Sequence, residues 1–301
     1  MRLWDVQTGR ESAALRDGLR SFSVRALAFS PDGKTLAVAV KYAPPRLIFW
    51  DVPTKRPRHI VEKGASATSL VFSPDGATLA TGARDAPLKL WDATTGQERF
   101  ALPHGWRVGT FHGLALSPDG KLLAAGFANE YPVPHRPNGE IDLWDLSARR
   151  IRFVLENRAG IYAVAFSPDG RMLATGGRFD NQVTLWEVAS GQRRAFLRPP
   201  DGVQLHCALL AFAPDGKTLV ATRAAVPDRG ASKGRAGVIL WDVLARREAM
   251  VLKVRDDVDF SLVFAPDGKR FAAGSIAGTV TVWEAAEQRP ATRTQPAIQR
   301  K

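Results

Sequence analysis

The chain has 301 residues, of which 45% are apolar and 24% are charged, a composition that is ordinary for a globular protein. No apolar run reaches the roughly 18 residues of a membrane-spanning helix, and the N-terminus lacks the charged and apolar regions of a signal peptide. The single cysteine, Cys207, excludes an internal disulfide. Together these features predict a cytoplasmic location.

The net charge of +12 favours acidic binding partners through long-range attraction. Lys and Arg are spread along the chain without a run of five, whereas a nucleic-acid footprint is expected to cluster on one face. The composition therefore predicts an acidic protein partner rather than nucleic acid or a membrane.

In chain order, the first complete set of predicted elements begins at residue 24. Segments 24–29 (VRALAF) and 35–40 (TLAVAV) are short apolar runs bounded by turn residues, which is typical of buried β-strands. Between them, Pro31 fixes φ at the second turn position and Gly33 supplies a positive φ, so the chain reverses there. A third predicted strand ends in LIFWD, and a fourth follows the next turn.

This unit of strands and turns recurs along the chain. The Ser/Ala-Pro-Asp-Gly turn occurs six times, with prolines at positions 31, 74, 118, 168, 214 and 266. Trp followed by Asp or Glu occurs seven times, at Trp4, Trp50, Trp91, Trp144, Trp186, Trp241 and Trp283. Four short antiparallel strands, repeated every 43 to 52 residues, predict the blades of an all-β β-propeller.

The Trp-Asp ending of the third strand and the Thr/Ser-Gly turn after it resemble the WD-repeat family, and the resemblance covers about residues 3–284. It implies a propeller domain of four-stranded antiparallel blades over residues 1–286. The residues after it, 287–301, are rich in proline and arginine, which predicts a flexible basic tail. It also implies that the repeated tryptophans are structural residues that pack between blades.

One departure from the family pattern concerns the polar set that accompanies the tryptophan. The Gly-His that usually precedes the first strand is absent, and the Asp six residues before the tryptophan remains only as Asp85 and Asp180. The sequence therefore predicts that apolar packing between sheets, rather than a buried polar network, holds the blades together.

The strand count raises a question of ring closure. The turn with its two flanking strands occurs six times and the Trp strand seven times, which predicts six full blades preceded by an N-terminal half blade. Residues 2–16 then form the outer half of an incomplete seventh blade. In the alternative, the segment GRESAAL completes the last blade of a closed six-bladed ring, which removes exposed strand edges. A longer protein, with further repeats or another domain upstream, accounts for both arrangements.

Long links between strands are the expected binding region. The tight turns should share one face of the ring, and the links at 103–113, 127–139 and 223–237 should share the other. Aromatic and Arg side chains are the usual anchors of an interface. The candidates in these links are Trp106, Arg107, Phe127 and Tyr131.

A second group of candidates consists of cationic residues seven or eight positions after the turn glycine, where the second strand of a blade ends. These residues are expected near the rim of the central channel, where a basic ring would suit an acidic segment or a phosphate. They are Lys41, Arg84, Arg178 and Arg223.

The sequence predicts no catalytic site, metal site or cofactor. It has no Gly-x-Ser-x-Gly elbow and no Gly-rich phosphate loop, and its five histidines lack the spacing of a zinc site. The predicted function is a non-catalytic protein-interaction scaffold that binds its partner on the long-loop face. The alternatives are a propeller-type hydrolase and the propeller part of a larger signalling protein, and the oligomeric state is open.

Overall fold

The computed structural model consists of β-strands and turns, without a helix in the residues that it describes. Those residues are 1–15, 23–41, 44–62, 66–103, 110–128, 139–157, 159–177, 180–199, 207, 209–223, 237–253, 261–274 and 279–284. Accordingly, none of these segments is a helix long and apolar enough to span a membrane.

The strands form seven antiparallel sheets that follow the order of the chain. The first sheet, called the half blade, pairs β1 (Arg2–Trp4) with β2 (Glu11–Ala14). Blade 1 consists of β3 (Val24–Phe29), β4 (Thr35–Val40), β5 (Arg46–Asp51) and β6 (Arg56–Val61). Blade 2 consists of β7 (Ser69–Phe72), β8 (Thr78–Gly82), β9 (Leu88–Asp92) and β10 (Glu98–Leu102). Blade 3 consists of β11 (Thr110–Leu116), β12 (Leu122–Ala128), β13 (Gly139–Asp145) and β14 (Arg150–Asn157).

The remaining sheets continue the same pattern. Blade 4 consists of β15 (Ile161–Phe166), β16 (Met172–Gly177), β17 (Val183–Glu187) and β18 (Arg193–Leu197). Blade 5 consists of β19 (Leu210–Phe212), β20 (Thr218–Arg223), β21 (Gly237–Asp242) and β22 (Arg247–Lys253). Blade 6 has three described strands, β23 (Ser261–Phe264), β24 (Arg270–Gly274) and β25 (Val280–Glu284).

The sheets stack side by side around a common axis. The first strands of successive blades contact one another from β3 through β7, β11, β15 and β19 to β23, so these strands are innermost. This arrangement confirms the predicted propeller of six blades preceded by a half blade. Because β2 pairs with β1 and not with β25, the alternative in which GRESAAL completes the last blade is not adopted.

The Pro-Asp-Gly turns have the predicted geometry. All six turn glycines have φ between 67 and 70°. In the first turn, Asp32 Oδ1 accepts hydrogen bonds from Ser30 Oγ at 2.6 Å and from the Lys34 amide at 3.0 Å. These bonds lower the pKa of the Asp32 carboxyl, with the Ser30 hydroxyl the larger cause. Each turn is therefore a compact, internally hydrogen-bonded unit.

The Asp of the Trp-Asp pair organises the turn between the third and fourth strands. Asp51 Oδ1 accepts from the Thr54 hydroxyl at 2.7 Å and the Thr54 amide at 2.9 Å, and with Arg58 these bonds lower the Asp51 pKa to about 2. The fifth residue after each of the first six repeated tryptophans has positive φ. It is a glycine in three turns, and in the other three it is Lys55, Arg149 and Arg246 at 51–59°.

Six of the seven repeated tryptophans are buried between neighbouring sheets, as predicted. Trp241 of blade 5, for example, lies in one buried cluster with Val183 and Leu185 of blade 4. The other five buried tryptophans likewise share a cluster with the preceding sheet: Trp50, Trp91, Trp144, Trp186 and Trp283. Each of the six, including Trp241, is at most 9% exposed. Trp4 is the exception, at 46% exposed.

The indole N–H groups fall into two classes. Trp91 Nε1 donates to Thr81 Oγ1 at 3.0 Å, and Trp186 Nε1 donates to Thr175 Oγ1 at 2.9 Å. The indole nitrogens of Trp50, Trp144 and Trp241 are buried without a hydrogen-bond partner. The residue seven after the turn proline explains the difference, since it is Thr in blades 2 and 4 and lacks a hydroxyl in blades 1, 3 and 5 (Val38, Ala125 and Ala221).

We expect Thr175→Val to lower the free energy of unfolding by about 1–3 kcal/mol, because it leaves the buried Trp186 N–H unpaired while the side-chain shape is kept. Thr184 provides a matched control. It lies opposite Thr175 across the two strands, is 1% exposed, and has a hydroxyl without a partner. Thr184→Val should therefore be neutral or stabilising in urea unfolding, and equal losses for both variants would contradict the assignment.

Candidate functional site

One face of the ring is formed by tight turns. A shallow depression on this face is lined by Pro74 and Asp75 of the blade 2 turn, by Pro118 of the blade 3 turn, and by Leu146 and Ser147 of the turn after Trp144. The Pro-Asp-Gly turns and the turns after the tryptophans thus lie together at this face, as predicted. We call it the turn face.

The opposite face, which we call the link face, carries the ends of strands joined by the three long links. Residues 104–109, 129–138 and 224–236 themselves lie outside the described residues. The strands that flank them end at Leu102, Ala128 and Arg223, away from the turn face, since each runs up from a turn. The three long links are therefore attached to one face of a rigid scaffold.

Several predicted binding residues fall within undescribed segments. Four of them lie outside the described residues: Trp106, Arg107, Tyr131 and Arg178. Arg223 is the last residue of β20, at the expected end of a second strand, but its side chain is not described. The roles of these five residues in binding stay predictions.

The prediction that Phe127 lies in a binding loop is wrong. Strand β12 extends to Ala128, and Phe127 is 5% exposed within it. Its ring meets the Phe111 ring edge-on with centroids 5.7 Å apart, in a cluster that also contains Trp144. The second strand is two residues longer than the apolar run suggested, so Phe127 supports the blade instead of facing a partner.

Lys41 and Arg84 are the two cations of the predicted basic ring whose side chains are described. Lys41 directly follows β4 and is exposed, with its amide bonded to Ser23 O at 2.9 Å. Arg84 follows β8, its side chain is 51% exposed, and its Nε lies 3.2 Å from Asp85 Oδ2. Both lie at second-strand ends on the link face, where an anion could reach them.

The sequence analysis missed a chain of polar contacts on the link face between blades 3 and 4. Asn157 is 8% exposed, and its Nδ2 donates to Asp180 Oδ2 at 2.8 Å. Gln182 Nε2 donates to Asp180 Oδ1 at 3.3 Å, while Arg198 Nε donates to Gln182 Oε1 at 3.0 Å. Repeat spacing identified Asp180 in the sequence. Asn157 occupies no repeated position, so the sequence did not indicate that it takes part in these contacts.

Groups with catalytic potential are not brought together in the described part of the chain. Burial raises the pKa of the Cys207 thiol, with the charge of Asp180 a smaller cause, so this thiol stays neutral. His112 stacks on Tyr162 with ring centroids 4.3 Å apart. No group of three His, Cys, Asp or Glu residues among the described residues is arranged to hold a metal ion.

Radially stacked, four-stranded antiparallel sheets with their first strands innermost define the molecule as a β-propeller. Comparison with known proteins gives the family. The model described as "WD domain, G-beta repeat" matches residues 56–92, 150–187 and 253–284. These matched segments are WD repeats, the repeat type that builds β-propellers of the WD-repeat family.

Known relatives agree with this assignment. The chain is 27% identical over 212 residues to telomerase Cajal body protein 1 of Bos taurus, covering 65% of this chain and 35% of that protein. It is 28% identical over 191 residues to small ribosomal subunit protein RACK1y of Oryza sativa subsp. japonica, covering 60% and 52%. A WD repeat-containing protein of Synechocystis, sll1491, is 31% identical over 169 residues, covering 56% and 42%.

These matches span only about a third to a half of each relative, between 35% and 52% of its length. Among solved structures, a chain in the crystal structure of the Mitotic Checkpoint Complex matches with a TM-score of 0.76 at 22% identity. That match covers 94% of this chain and 80% of the other. At 22% identity, this similarity is evidence for the fold alone.

Proposed function

We propose that this propeller is a non-catalytic protein-interaction scaffold that binds an acidic segment of a partner protein on the link face. The difference between the two faces carries the proposal. The turn face is built from short turns whose polar groups are satisfied internally. The link face carries exposed Lys41 and Arg84 and the attachment points of all three long links. Long links on a rigid scaffold are where binding residues concentrate.

Relatives and chemistry support the same proposal. By its name, the rice relative is a protein of the small ribosomal subunit, which is a large assembly. The neutral, buried Cys207 thiol is not a nucleophile, because the thiolate is the reactive form. The net charge of +12 supplies the long-range attraction for an acidic partner. The cytoplasmic location predicted from the single cysteine stays a prediction.

The test is capture of acidic partners by the purified chain and by a triple link-face variant, Trp106→Ala with Tyr131→Ala and Arg178→Ala. We expect this variant to lose capture at least about tenfold, since removing interface anchors typically costs 1 kcal/mol or more each. The variant should keep the circular dichroism spectrum and melting temperature of the parent, because none of the described strands includes these three positions.

A turn-face triple variant is the matched control. Lys34→Ala with Lys121→Ala and Lys217→Ala changes three exposed residues that follow Pro-Asp-Gly turns, and it should leave capture unchanged. A folded link-face variant that retains capture, or loss of capture in the turn-face variant, contradicts the proposal. Binding to nucleic acid with a steep salt dependence would favour the other class of acidic partner.

A further inference from the structure

The depression on the turn face lies at the boundary between blades 2 and 3 and has a volume of about 370 Å³. Pro74 and Pro118, in the turns of the two blades, line its inner end. Arg99 and Phe100 of β10, the outermost strand of blade 2, line its outer end. The apolar side chains along it are buried or half-buried: Leu90, Phe100, Leu116 and Leu146.

One departure from the repeat pattern accounts for the space between these two blades. The residue two positions before the turn proline is Leu116 in blade 3 and phenylalanine in the other five blades. In blade 2 this residue is Phe72, which is 7% exposed and packs with Leu47 and Phe49 of blade 1. Leu116 packs in the corresponding cluster of blades 2 and 3 but stays half-buried. Its shorter side chain leaves the place of the phenyl ring open.

A second departure concerns the charge at the same depression. The residue after the turn glycine is Ala77 in blade 2, whereas the other five blades have a cation there: Lys34, Lys121, Arg171, Lys217 and Lys269. Asp75 of the blade 2 turn lines the depression and is exposed. The Ser73 hydroxyl and, to a smaller extent, the Ala77 amide donate to this carboxylate and lower its pKa. Asp75 is therefore charged at neutral pH.

The cation that lines the depression, Arg99, is already engaged. Its Nη2 donates to Asp92 Oδ2 at 2.7 Å and to Ala77 O at 3.2 Å, and its Nη1 donates to Thr78 Oγ1 at 3.0 Å. The Arg99 charge thus balances Asp92, whose pKa falls to about 2 with the Arg99 hydrogen bond as the largest cause. Asp75 remains a carboxylate at the edge of an apolar depression.

The two departures meet at one boundary. At each of the other four boundaries between complete repeats, the earlier blade supplies a cation after its turn and the later blade supplies a phenylalanine before its turn. These pairs are Lys34 with Phe72, Lys121 with Phe166, Arg171 with Phe212, and Lys217 with Phe264. The boundary between blades 2 and 3 has Ala77 and Leu116 instead. It lacks an aromatic ring and a cation together.

We propose that this depression binds a segment of a partner protein in which a phenylalanine or tryptophan lies next to a lysine or arginine. The aromatic ring packs against Leu116, and the cation lies beside Asp75. The other four boundaries of the chain define this chemistry. The site lies on the face opposite the link face and takes a ligand of the opposite charge. A shallow depression suits a side chain of a segment, because sites for small molecules enclose most of their ligand.

The walls of the site are held in place without a ligand. Asp119 Oδ1, in the blade 3 turn, accepts from Ser117 Oγ at 2.6 Å and from the Lys121 amide at 3.1 Å. At the outer end, the Arg149 guanidinium lies over the Phe100 ring, 4.4 Å from its centroid. Binding therefore requires little ordering of the protein, which favours affinity for a short segment.

The experiment uses the 301-residue chain and the peptide Gly-Arg-Phe-Arg-Gly, capped at both ends and carrying a para-fluorine on its phenylalanine. Fluorine NMR at physiological salt follows binding, since charges are then screened beyond about 8 Å and the net charge of the chain has little influence. We expect saturable binding with Kd below about 1 mM. A fluorinated peptide with Gln in place of both arginines should bind at least about fivefold more weakly. An unlabelled peptide with Ala in place of Phe should not displace the probe.

Variants that restore the repeat pattern locate the site. Leu116→Phe fills the place of the ring and should weaken peptide binding at least about tenfold, while Tm stays the same or rises because a cavity is filled. Leu116→Met is the matched control and should bind normally, since it nearly conserves volume. Ala77→Lys restores the cation and should weaken binding at least about fivefold, with the fold kept because Lys34 occupies the same position in blade 1.

A charge pair of variants tests the carboxylate. Asp75→Asn should weaken binding at least about fivefold, whereas Asp169→Asn in the blade 4 turn should not, although both keep the oxygen that accepts the turn hydrogen bonds. The link-face variant Trp106→Ala with Tyr131→Ala and Arg178→Ala should bind this peptide like the parent. Failure of this site is therefore distinguishable from failure of the link-face site.

Four outcomes overturn the proposal. The peptide shows no saturable binding up to about 1 mM. Folded Leu116→Phe or Ala77→Lys binds it like the parent. Phenethylamine binds as tightly as the peptide, so that the site serves a free amine. Sedimentation shows that the chain alone forms a dimer that Leu116→Phe dissociates, so that a second copy covers the depression.

Discussion

Replacing Trp241 with alanine is expected to lower the free energy of unfolding by about 3–5 kcal/mol. The side chain is fully buried and shares one cluster with Ala174, Val183 and Leu185 of the preceding blade. Truncation therefore opens a cavity between two sheets in addition to losing the transfer free energy of the indole. Urea unfolding followed by far-ultraviolet circular dichroism measures this loss.

Two further variants separate the causes. Trp4→Ala should change the free energy of unfolding by less than about 0.5 kcal/mol, because this tryptophan of the same motif is 46% exposed. Trp241→Phe should cost much less than Trp241→Ala, since it keeps an aromatic ring and removes an indole N–H that has no partner. Equal losses for the Trp4 and Trp241 alanine variants would mean that burial between sheets does not set the contribution of the repeat tryptophan.

The comparison of these two tryptophans shows where sequence reasoning succeeds and where it stops. The motif predicts a strand that ends in tryptophan, and both residues lie on such a strand. Burial depends on the neighbouring sheet, which the motif does not contain. Trp4 and Trp241 belong to the same motif, but Trp241 packs on the preceding blade, whereas no blade among the described residues packs on Trp4 in this way.

Local turn chemistry made the strand boundaries predictable. Segments 24–29 and 35–40 form strands with the expected limits, because a Pro-Asp-Gly turn fixes one end of each apolar run. The turns after the tryptophans were harder, because Lys55 adopts the positive φ that glycine supplies elsewhere. Two hydrogen bonds from Thr54 to Asp51 hold this turn in shape. The aspartate is therefore a better sequence marker of the turn than the glycine.

The candidate site was less predictable than the fold. Phe127 followed an apolar run and preceded a long link, so sequence placed it in the link, whereas strand pairing with Phe111 and Glu140 holds it in the sheet. Asn157 bonds to Asp180 across two blades, and no spacing rule relates their positions. Contacts between blades at the link face are therefore specific to each pair, unlike the repeated contacts at the turn face.

Gly139→Ala is expected to destabilise the chain by at least about 2–3 kcal/mol, at the upper end of the cost of overpacking. A Cβ built at Gly139 would lie 2.0 Å from the carbonyl oxygen of Ala159 and 2.9 Å from Gly160 Cα. Both are backbone atoms that no rotamer change can move. The start of β13 and the segment at Ala159 must therefore separate, which disturbs the link face next to Asn157, whose Nδ2 donates to Ala159 O at 3.1 Å.

Gly33→Ala is the control that separates this clash from backbone conformation. Gly33 has φ of 70° and nothing within 4 Å of the added Cβ, so its replacement should cost only about 1–2 kcal/mol, from the left-handed conformation. Gly139 lacks a positive φ, so its larger cost must come from the close approach of two backbones. If urea unfolding gives Gly139→Ala a smaller loss than Gly33→Ala, the two segments separate easily and the link face between blades 3 and 4 is not a rigid platform.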